Sequence, residues 1–180
     1  MTDNERMLYA VAEPDERYKL CSTAHSKIAV VKSILAKHRG EQTLVIGAYL
    51  DQLEELGTEL DAPVIQGSTK NAEREALFDA FRRGEIKTLV VSKVANFSID
   101  LPEASVAVQV SGTFGSRQEE AQRLGRLLRP KHDGGGAIFY SVVARDSLDT
   151  DYAAHRQRFL AEQGYGYIIS DADDLLGPAI

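Results

Sequence analysis

Two patterns of hydrophobic residues alternate along the 180-residue chain. Apolar positions three and four residues apart predict amphipathic helices. Helices are predicted in this way at residues 26–38, 49–60, 71–83, 116–128 and 151–162. Short runs rich in branched apolar residues predict buried strands at residues 43–47, 63–66, 87–92, 105–110 and 137–143, the last interpreted as a central strand. This alternation predicts an α/β fold, with a mostly parallel sheet covered by helices on both faces.

The two ends of the chain are less regular. Residues 1–25 are interpreted as a lead-in segment that packs on a single domain spanning residues 26–180. Near the other end, residues 165–169 (YGYII) have a strand-like pattern, and an acidic segment follows them. The length is sufficient for one domain with a core of its own.

Composition excludes several classes of protein. Hydrophobic residues make up 43% of the chain, which is close to the globular average and argues against a disordered chain. Cys21 is the only cysteine, so we expect no internal disulfide, no metal site and a reducing compartment. No apolar run reaches the about 18 residues of a transmembrane helix, and the polar start MTDNER does not look like a signal peptide. We therefore expect no membrane partner.

The charge of the chain limits the ways in which it could bind nucleic acid. It has 27 acidic and 21 basic residues, a formal net charge of −6. This balance argues against binding nucleic acid through bulk electrostatics. A net charge of −6 is still compatible with a local strip of basic residues. A nucleic-acid function must therefore rest on particular residues.

Several catalytic patterns are absent from the sequence. It contains no G-x-x-x-x-G-K-[ST] phosphate loop and no Asp-Glu pair placed after a strand to hold magnesium. No G-x-S-x-G elbow occurs, and the four histidines stand in ordinary helix or loop contexts. The chain therefore lacks the residues that usually cradle a nucleotide, and a catalytic histidine is not favoured.

The sharpest chemical signal is the stretch RQEEAQRLGRLLR at 117–129, which lies almost wholly in the helix predicted at 116–128. At about 100° per residue, Gln122, Arg126 and Arg129 fall within about 60° of one another, and apolar residues occupy the opposite side. Guanidinium groups donate paired hydrogen bonds that suit a phosphate. A solvated basic face explains the same pattern, and the helical spacing alone favours that explanation.

A second candidate stretch, SKVANFSIDLP at 92–102, follows a predicted strand. Ligands of open parallel sheets bind at the carboxyl ends of the strands. The Ser92 hydroxyl and the Lys93 ammonium could meet a nucleic-acid phosphate there, with free backbone N–H groups adding donors. Taken in isolation, this stretch is better explained as a strand followed by an ordinary turn.

Four stretches, taken together and in order, resemble the motifs of superfamily 2 helicases. QRLGRLLR at 122–129 resembles motif VI, and SKVANFSIDLP resembles motif V. TLVIGAY at 43–49 resembles motif IV, and GSTKNAER at 67–74 resembles the turn before a helix in these motors. Four motifs in the right order are far more specific than any one of them.

The downstream stretches AIFYSVVARDS and HRQRFLAEQGY narrow the resemblance to the xeroderma pigmentosum group B (XPB) helicase family, in a bacterial form. Two positions depart from the pattern of the superfamily. Ser98 stands where glycine is usual, and Leu128 stands where many members have glycine. The first departure bears on the local backbone, and the second favours a narrower branch.

The resemblance implies a RecA-like domain without a phosphate loop, the second of two motor domains. In that family the two later arginines of motif VI reach the γ-phosphate of ATP, and here they are Arg126 and Arg129, the expected catalytic residues. Gln122 matches a glutamine near the nucleotide, and Asp100 matches an aspartate that couples strand binding to the ATP site. ATP with Mg²⁺ is expected to be bound mainly by the first motor domain, which this chain lacks.

The resemblance also implies contacts with DNA. Ser92 matches a hydroxyl residue that contacts the backbone of a single strand, and Thr69 would contact the same backbone from the turn at 67–74. Thr69 also has a local explanation as the cap of the helix that follows, because threonine there satisfies free N–H groups. Both roles are compatible.

The resemblance thus implies the second motor domain of an ATP-dependent 3′→5′ DNA helicase or translocase that acts in DNA repair. We expect a C-terminal fragment or a separately produced domain that does not hydrolyse ATP alone. The expected partners are the N-terminal motor domain of the same protein, single-stranded and duplex DNA, and a nuclease or repair protein. A bacterial member would be cytoplasmic and associated with the nucleoid.

Two other interpretations remain open. The chain could be the C-terminal motor domain of another superfamily 2 translocase. It could instead be a non-catalytic RecA-like interaction domain that binds partners through the acidic tail, which contains Asp171, Asp173 and Asp174. Intact Arg126 and Arg129 argue against the second alternative, since a scaffold needs neither.

Overall fold

A parallel sheet forms the frame of the computed structural model, which describes residues 1–92, 104–112, 137–162 and 164–176. Its strands are β1 (Thr43–Gly47), β2 (Val64–Ile65), β3 (Thr88–Ser92), β4 (Val106–Gln109) and β5 (Ile138–Ser141). The strand order across the sheet is β2-β3-β1-β4-β5. Every neighbouring pair is parallel.

Helices connect the strands and cover the sheet. The described helices are α1 (Asp3–Val11), α2 (Pro14–Ser22), α3 (Ser26–Lys37), α4 (Leu50–Leu60), α5 (Asn71–Arg82), α6 (Leu148–Glu162) and α7 (Ala172–Leu176). Within the described ranges, no helix has both the length and the apolar character that crossing a bilayer requires.

The core lies on both faces of the sheet, as expected for strands with continuous apolar runs. On one face, Val45 and Val90 pack with apolar residues of α3 and α4, such as Ile28 and Leu53. On the other face, strand residues including Leu44 and Leu89 pack against α5, which contributes Phe78 and Phe81. Successive strand residues therefore point to opposite apolar layers. For this reason apolar and polar residues do not alternate along these strands.

The predicted helices and strands that fall within the described residues are confirmed, with small shifts at their ends. The strand predicted at 63–66 is limited to Val64–Ile65, and the helix predicted at 151–162 begins at Leu148. The helix predicted at 116–128 lies outside the described residues.

The interpretation of residues 137–143 as a central strand is wrong. Among the described strands, β5 pairs with β4 alone and stands last in the order, and Ile138 is 42% exposed. An apolar run gives the tendency to form a strand, but its position in the sheet depends on which partners pair with it.

Both ends of the chain also differ from the sequence prediction. Residues 1–25 contain α1 and α2 rather than irregular chain. α1 begins with a capping box, in which Thr2 and Glu5 bond each other's backbone N–H groups. No residue of α1 is buried, and its apolar residues Met7, Leu8 and Val11 are exposed, so they do not mark a face that packs on the core. Residues 165–169 form no strand, and the acidic segment after them contains the short helix α7.

We predict that Gly47→Ala destabilises the fold by about 1–3 kcal/mol, because the added methyl would overpack the sheet. A Cβ at Gly47 would lie 2.8 Å from Leu53 Cδ2, 2.9 Å from Ser111 Oγ and 3.0 Å from a Val110 methyl group. Urea unfolding followed by circular dichroism measures this loss. Gly166→Ala is the matched control, since nothing lies within 4 Å of its Cβ position. Equal midpoints for the two variants would contradict the prediction.

Candidate functional site

The carboxyl ends of the strands meet at one edge of the sheet, where ligands of open α/β sheets bind. Ser92 at the end of β3 is level with Gly47 at the end of β1. On the other side of β1, Gln109 of β4 is paired with Ile46 and with Ser141 of β5. The chain thus leaves four adjacent strands at similar heights. A ligand of this sheet is therefore expected to bind along their carboxyl ends.

Ser92 lies on this edge but is almost completely buried, with 1% of its surface exposed. Its hydroxyl is not open to a nucleic-acid phosphate in this conformation. The geometry therefore gives no direct support for the predicted backbone contact at Ser92, which stays a prediction.

Thr69 is better placed, in the turn that follows β2. Its hydroxyl oxygen accepts a hydrogen bond from the Gln66 backbone N–H at 3.0 Å, and its own N–H donates to the Gln66 carbonyl at 3.0 Å. The side chain is half-buried. A hydroxyl whose oxygen accepts a bond still has its hydrogen to donate, so Thr69 can donate to a phosphate oxygen without breaking the turn.

The alternative role of Thr69 as a helix cap is wrong. Lys70 is the N-cap of α5, and no side chain caps the helix there. The Thr69 hydroxyl closes the turn before the helix instead. Sequence alone could not tell whether the Thr69 hydroxyl caps the helix or closes the turn before it. The difference is a single position, because a threonine at residue 70, the N-cap, would be placed to make the capping bond.

Arg74 holds this turn from within α5. Its guanidinium donates to the Thr69 carbonyl at 3.0 Å and to the Asn71 side-chain oxygen at 3.4 Å. The Arg74 side chain is buried, so it holds the turn from its protein-facing side. The position of the Thr69 hydroxyl therefore depends on a residue of the next helix.

A buried ion pair lies beyond the ends of β4 and β5. The Lys27 ammonium, on α3, donates to Asp149 Oδ2 at 2.6 Å and to the Val110 carbonyl at 2.7 Å. The same carboxylate oxygen accepts the Ala144 backbone N–H at 3.0 Å. The two side chains are 3% and 2% exposed. The pair thereby joins α3, the end of β4, the chain after β5 and the start of α6.

Burial lowers the pKa of the Lys27 ammonium, and the adjacent Asp149 carboxylate opposes that shift. Each charged group also has hydrogen-bond partners from the backbone. Such an arrangement is strongly destabilised when one partner is removed, because the other charge is left buried and uncompensated.

Tyr18, on α2, contacts the backbone two residues beyond Val110. Its hydroxyl donates to the Gly112 carbonyl at 3.1 Å. Its ring packs edge-on against Tyr152 of α6, with the centroids 4.7 Å apart. Burial raises the pKa of this phenol, so it keeps its proton and remains a hydrogen-bond donor.

Arg156, on α6, lies against the same backbone. A Cβ at Gly112 would come within 2.9 Å of one guanidinium nitrogen of Arg156, so the guanidinium lies directly against the Gly112 backbone. The other terminal nitrogen is 3.5 Å from the Ser141 hydroxyl oxygen, at the end of β5. Arg156 therefore spans the ends of β4 and β5.

Five of the seven predicted site residues lie outside the described residues: Arg126, Arg129, Gln122, Lys93 and Asp100. Thr69 follows β2, and Ser92 is the last residue of the adjacent strand β3. The sequence interpretation missed Lys27, Asp149 and Tyr18. A signal existed for Lys27, since it shares helical spacing with Val31 and Ile34 and thus lies on the apolar face.

Among the residues whose positions are described, no three His, Cys, Asp or Glu side chains form a group that could hold a metal ion.

Comparison with solved structures defines the class of fold. The structure of the C-terminal domain of the DEAD-box protein Dbp5 is similar with a TM-score of 0.63, covering 77% of this chain and 81% of that one. The two sequences are 19% identical, so the likeness concerns the fold alone. The chain thus has the RecA-like fold of helicase C-terminal domains.

The family follows from sequence comparison. A family model described as ERCC3/RAD25/XPB C-terminal helicase matches residues 1–175. The DNA 3'-5' helicase XPB of Mycobacterium tuberculosis is 87% identical over 180 residues, all of this chain and 33% of that relative. The XPB/SSL2 helicase/translocase subunit of general transcription and DNA repair factor IIH from Saccharomyces cerevisiae is 36% identical over 172 residues, covering 92% of this chain and 19% of that relative. The chain belongs to the ERCC3/RAD25/XPB C-terminal helicase family, which confirms the family resemblance.

The chain spans about a third of the length of the mycobacterial relative.

We predict that Lys27→Met destabilises the protein by about 3–5 kcal/mol, because it leaves the Asp149 carboxylate buried without its partner. The double variant Lys27→Met with Asp149→Leu should regain much of that loss, since it removes both charges. Urea unfolding measures both effects.

The matched control is Lys32→Met, which removes the exposed ion pair of Lys32 with Glu59. That change should alter stability little, because water screens such pairs. If Lys27→Met shifts the unfolding midpoint no more than Lys32→Met, the ion pair is not the structural link that we describe.

Proposed function

We propose that this chain is the second motor domain of an ATP-dependent 3′→5′ DNA helicase or translocase that acts in DNA repair. Membership of the ERCC3/RAD25/XPB C-terminal helicase family, over residues 1–175, is the observation that carries the proposal. The relatives bear the names of DNA helicases and are longer than this chain. Their additional length is sufficient for a first motor domain.

On this proposal, Arg126 and Arg129 act on the γ-phosphate of an ATP molecule held by the first motor domain. Guanidinium groups neutralise the charge that develops on the phosphate oxygens during transfer. Gln122 contacts the nucleotide from the same predicted helix, and Asp100 couples DNA binding to this site. The spacing of the motif VI residues and the position of their stretch, which begins beyond β4, support the assignment.

ATP and Mg²⁺ would be held mainly by the first motor domain, since this chain has no phosphate loop. ATP supplies the phosphoryl group. The residues of this chain would close the site from the opposite side and add positive charge. The chain alone would therefore bind ATP poorly and would not hydrolyse it.

DNA would bind along the carboxyl edge of the sheet, with Thr69 donating a hydrogen bond to a backbone phosphate. The orientation of its hydroxyl by Gln66, and the fixing of its turn by Arg74, support this role. Lys93 would add a positive charge. Ser92 is a weaker candidate for direct contact because it is buried. The full protein would work in the cytoplasm on nucleoid DNA, alongside a nuclease or another repair protein.

In the full-length protein, Arg126→Ala and Arg129→Ala should each lower DNA-stimulated ATP turnover by about 10³-fold or more, as expected for arginines that stabilise a phosphoryl-transfer transition state. ATP affinity should change much less, because these side chains act mainly in the transition state. Lysine should not restore turnover, since a point charge cannot replace the paired donors.

Arg82→Ala is the control for these variants. Arg82 is the last residue of α5, which runs away from the carboxyl edge, and it is paired with Asp79 on the surface. Near-normal turnover of both Arg126→Ala and Arg129→Ala would refute the catalytic assignment and favour a non-catalytic domain.

Thr69→Val should weaken binding of single-stranded DNA to the full-length protein by about tenfold, as expected for a lost hydrogen bond to a charged group. Thr69→Ser retains the hydroxyl and should bind nearly as the parent does. Fluorescence anisotropy at fixed ionic strength measures both affinities, because phosphate contacts depend on salt.

Thr58→Val provides the control for this series. The Thr58 hydroxyl donates to the Glu54 carbonyl near the end of α4, away from the carboxyl edge. If Thr69→Ser loses as much affinity as Thr69→Val, the hydroxyl is not the contact.

A further inference from the structure

We propose that Tyr18 is a positioning residue for the arginine segment: its hydroxyl, together with the Lys27 ammonium, fixes the backbone from which residues 113–136 depart. Arg126 and Arg129 belong to those residues. The inference rests on the proposed function of these arginines, and it assigns to α2 a role in the ATPase reaction.

The chain beyond β4 is held by side chains rather than by the sheet. The Val110 backbone N–H still donates to the Ile46 carbonyl of β1 at 2.9 Å. The carbonyl of Val110, however, accepts its hydrogen bond from Lys27, at 2.7 Å. Two residues later, the Gly112 carbonyl accepts from Tyr18, at 3.1 Å. Tyr18 therefore holds the Gly112 carbonyl, on the chain that leads from β4 towards Arg126.

The returning chain is joined to the same point. Asp149, the partner of Lys27, also accepts the backbone N–H of Ala144 beyond β5. Arg156 lies against Gly112 and reaches the Ser141 hydroxyl at the end of β5. The chain before residue 113 and the chain after residue 136 are therefore attached to the same buried polar cluster, which consists of Tyr18, Lys27 and Asp149.

The position of this backbone matters for the proposed reaction. A charged group can stabilise a transition state only where the charge develops, and a displacement of about 1 Å can lower the rate about 100-fold. Arg126 lies 14 positions beyond Gly112 in the sequence. A displacement at Gly112 moves the point from which the chain continues towards Arg126. Loss of the Tyr18 hydroxyl should therefore lower the rate more than it lowers the affinity for ATP.

Tyr18→Phe in the full-length protein tests this role, because it removes one hydroxyl and keeps the ring that packs against Tyr152. We expect kcat for DNA-stimulated ATP hydrolysis to fall about tenfold, with KM for ATP changed less than about twofold. Turnover is expressed per folded molecule, using circular dichroism to determine the folded fraction.

Tyr9→Phe is the matched control. Tyr9 is on α1, and its hydroxyl accepts the backbone N–H of Leu148 at 3.0 Å. It also joins the N-terminal helices to α6, but it does not contact the chain beyond β4 in any hydrogen bond that the structure shows for it. Tyr9→Phe should retain kcat. Equal losses in the two variants would mean that the effect is one of general stability, and the proposal would be overturned.

A double-mutant cycle with Arg126→Ala separates this inference from the proposed function. If Tyr18 acts through the arginine segment, Tyr18→Phe should lower turnover by much less than tenfold once Arg126 has been removed, because only Arg129 is then left to be positioned. Multiplication of the two losses would overturn the positioning role. Normal kcat for Tyr18→Phe, beside a large loss for Arg126→Ala, would overturn the positioning role and leave the proposed function intact. Normal turnover for Arg126→Ala would overturn both.

Discussion

Because the five described strands run in one direction, the chain leaves every strand at the same edge of the sheet and returns along a face to begin the next. This parallel pairing brings the turn of Thr69, the end of β3 and the backbone around Gly112 to one side of the molecule. It also buries both faces, so the strands consist of continuous apolar runs. The candidate site consists of what remains at this edge, where the apolar layers end and polar groups need partners.

The buried polar cluster supplies hydrogen-bond partners for these polar groups. Carbonyl groups beyond the end of β4 have left the sheet ladder, and a buried carbonyl without a partner is costly. Lys27 supplies the donor at Val110, and Asp149 compensates the charge of Lys27. An apolar pair of the same size is often as stabilising as such an ion pair. An apolar pair could not, however, bond both the departing and the returning chain, so the charges here serve to hold backbone in place.

Much of the fold could be predicted from the sequence. The predicted helix at 26–38 and strand at 43–47 appear with nearly the same bounds, because local spacing reports the period of each element and the side that is buried. α1 escaped prediction because none of its nine residues is fully buried and most of its apolar side chains are exposed. The candidate site was predicted less well. Thr69 was identified through a motif, yet the bond made by its hydroxyl differed from the expected cap.

The sequence by itself determined that the chain is an α/β domain of a helicase family, since periodicity and ordered motifs are local properties that need no coordinates. Only the tertiary structure decided that β5 stands last in the order of the described strands. It alone also brought Tyr18 to Gly112, 94 residues away, and Lys27 to Asp149, 122 residues away. The physical reason is that a hydrophobic pattern specifies which side of an element is buried and leaves open what buries it. Partners distant in sequence are selected by strand order and packing, and the chain beyond β4 is held by partners of that kind.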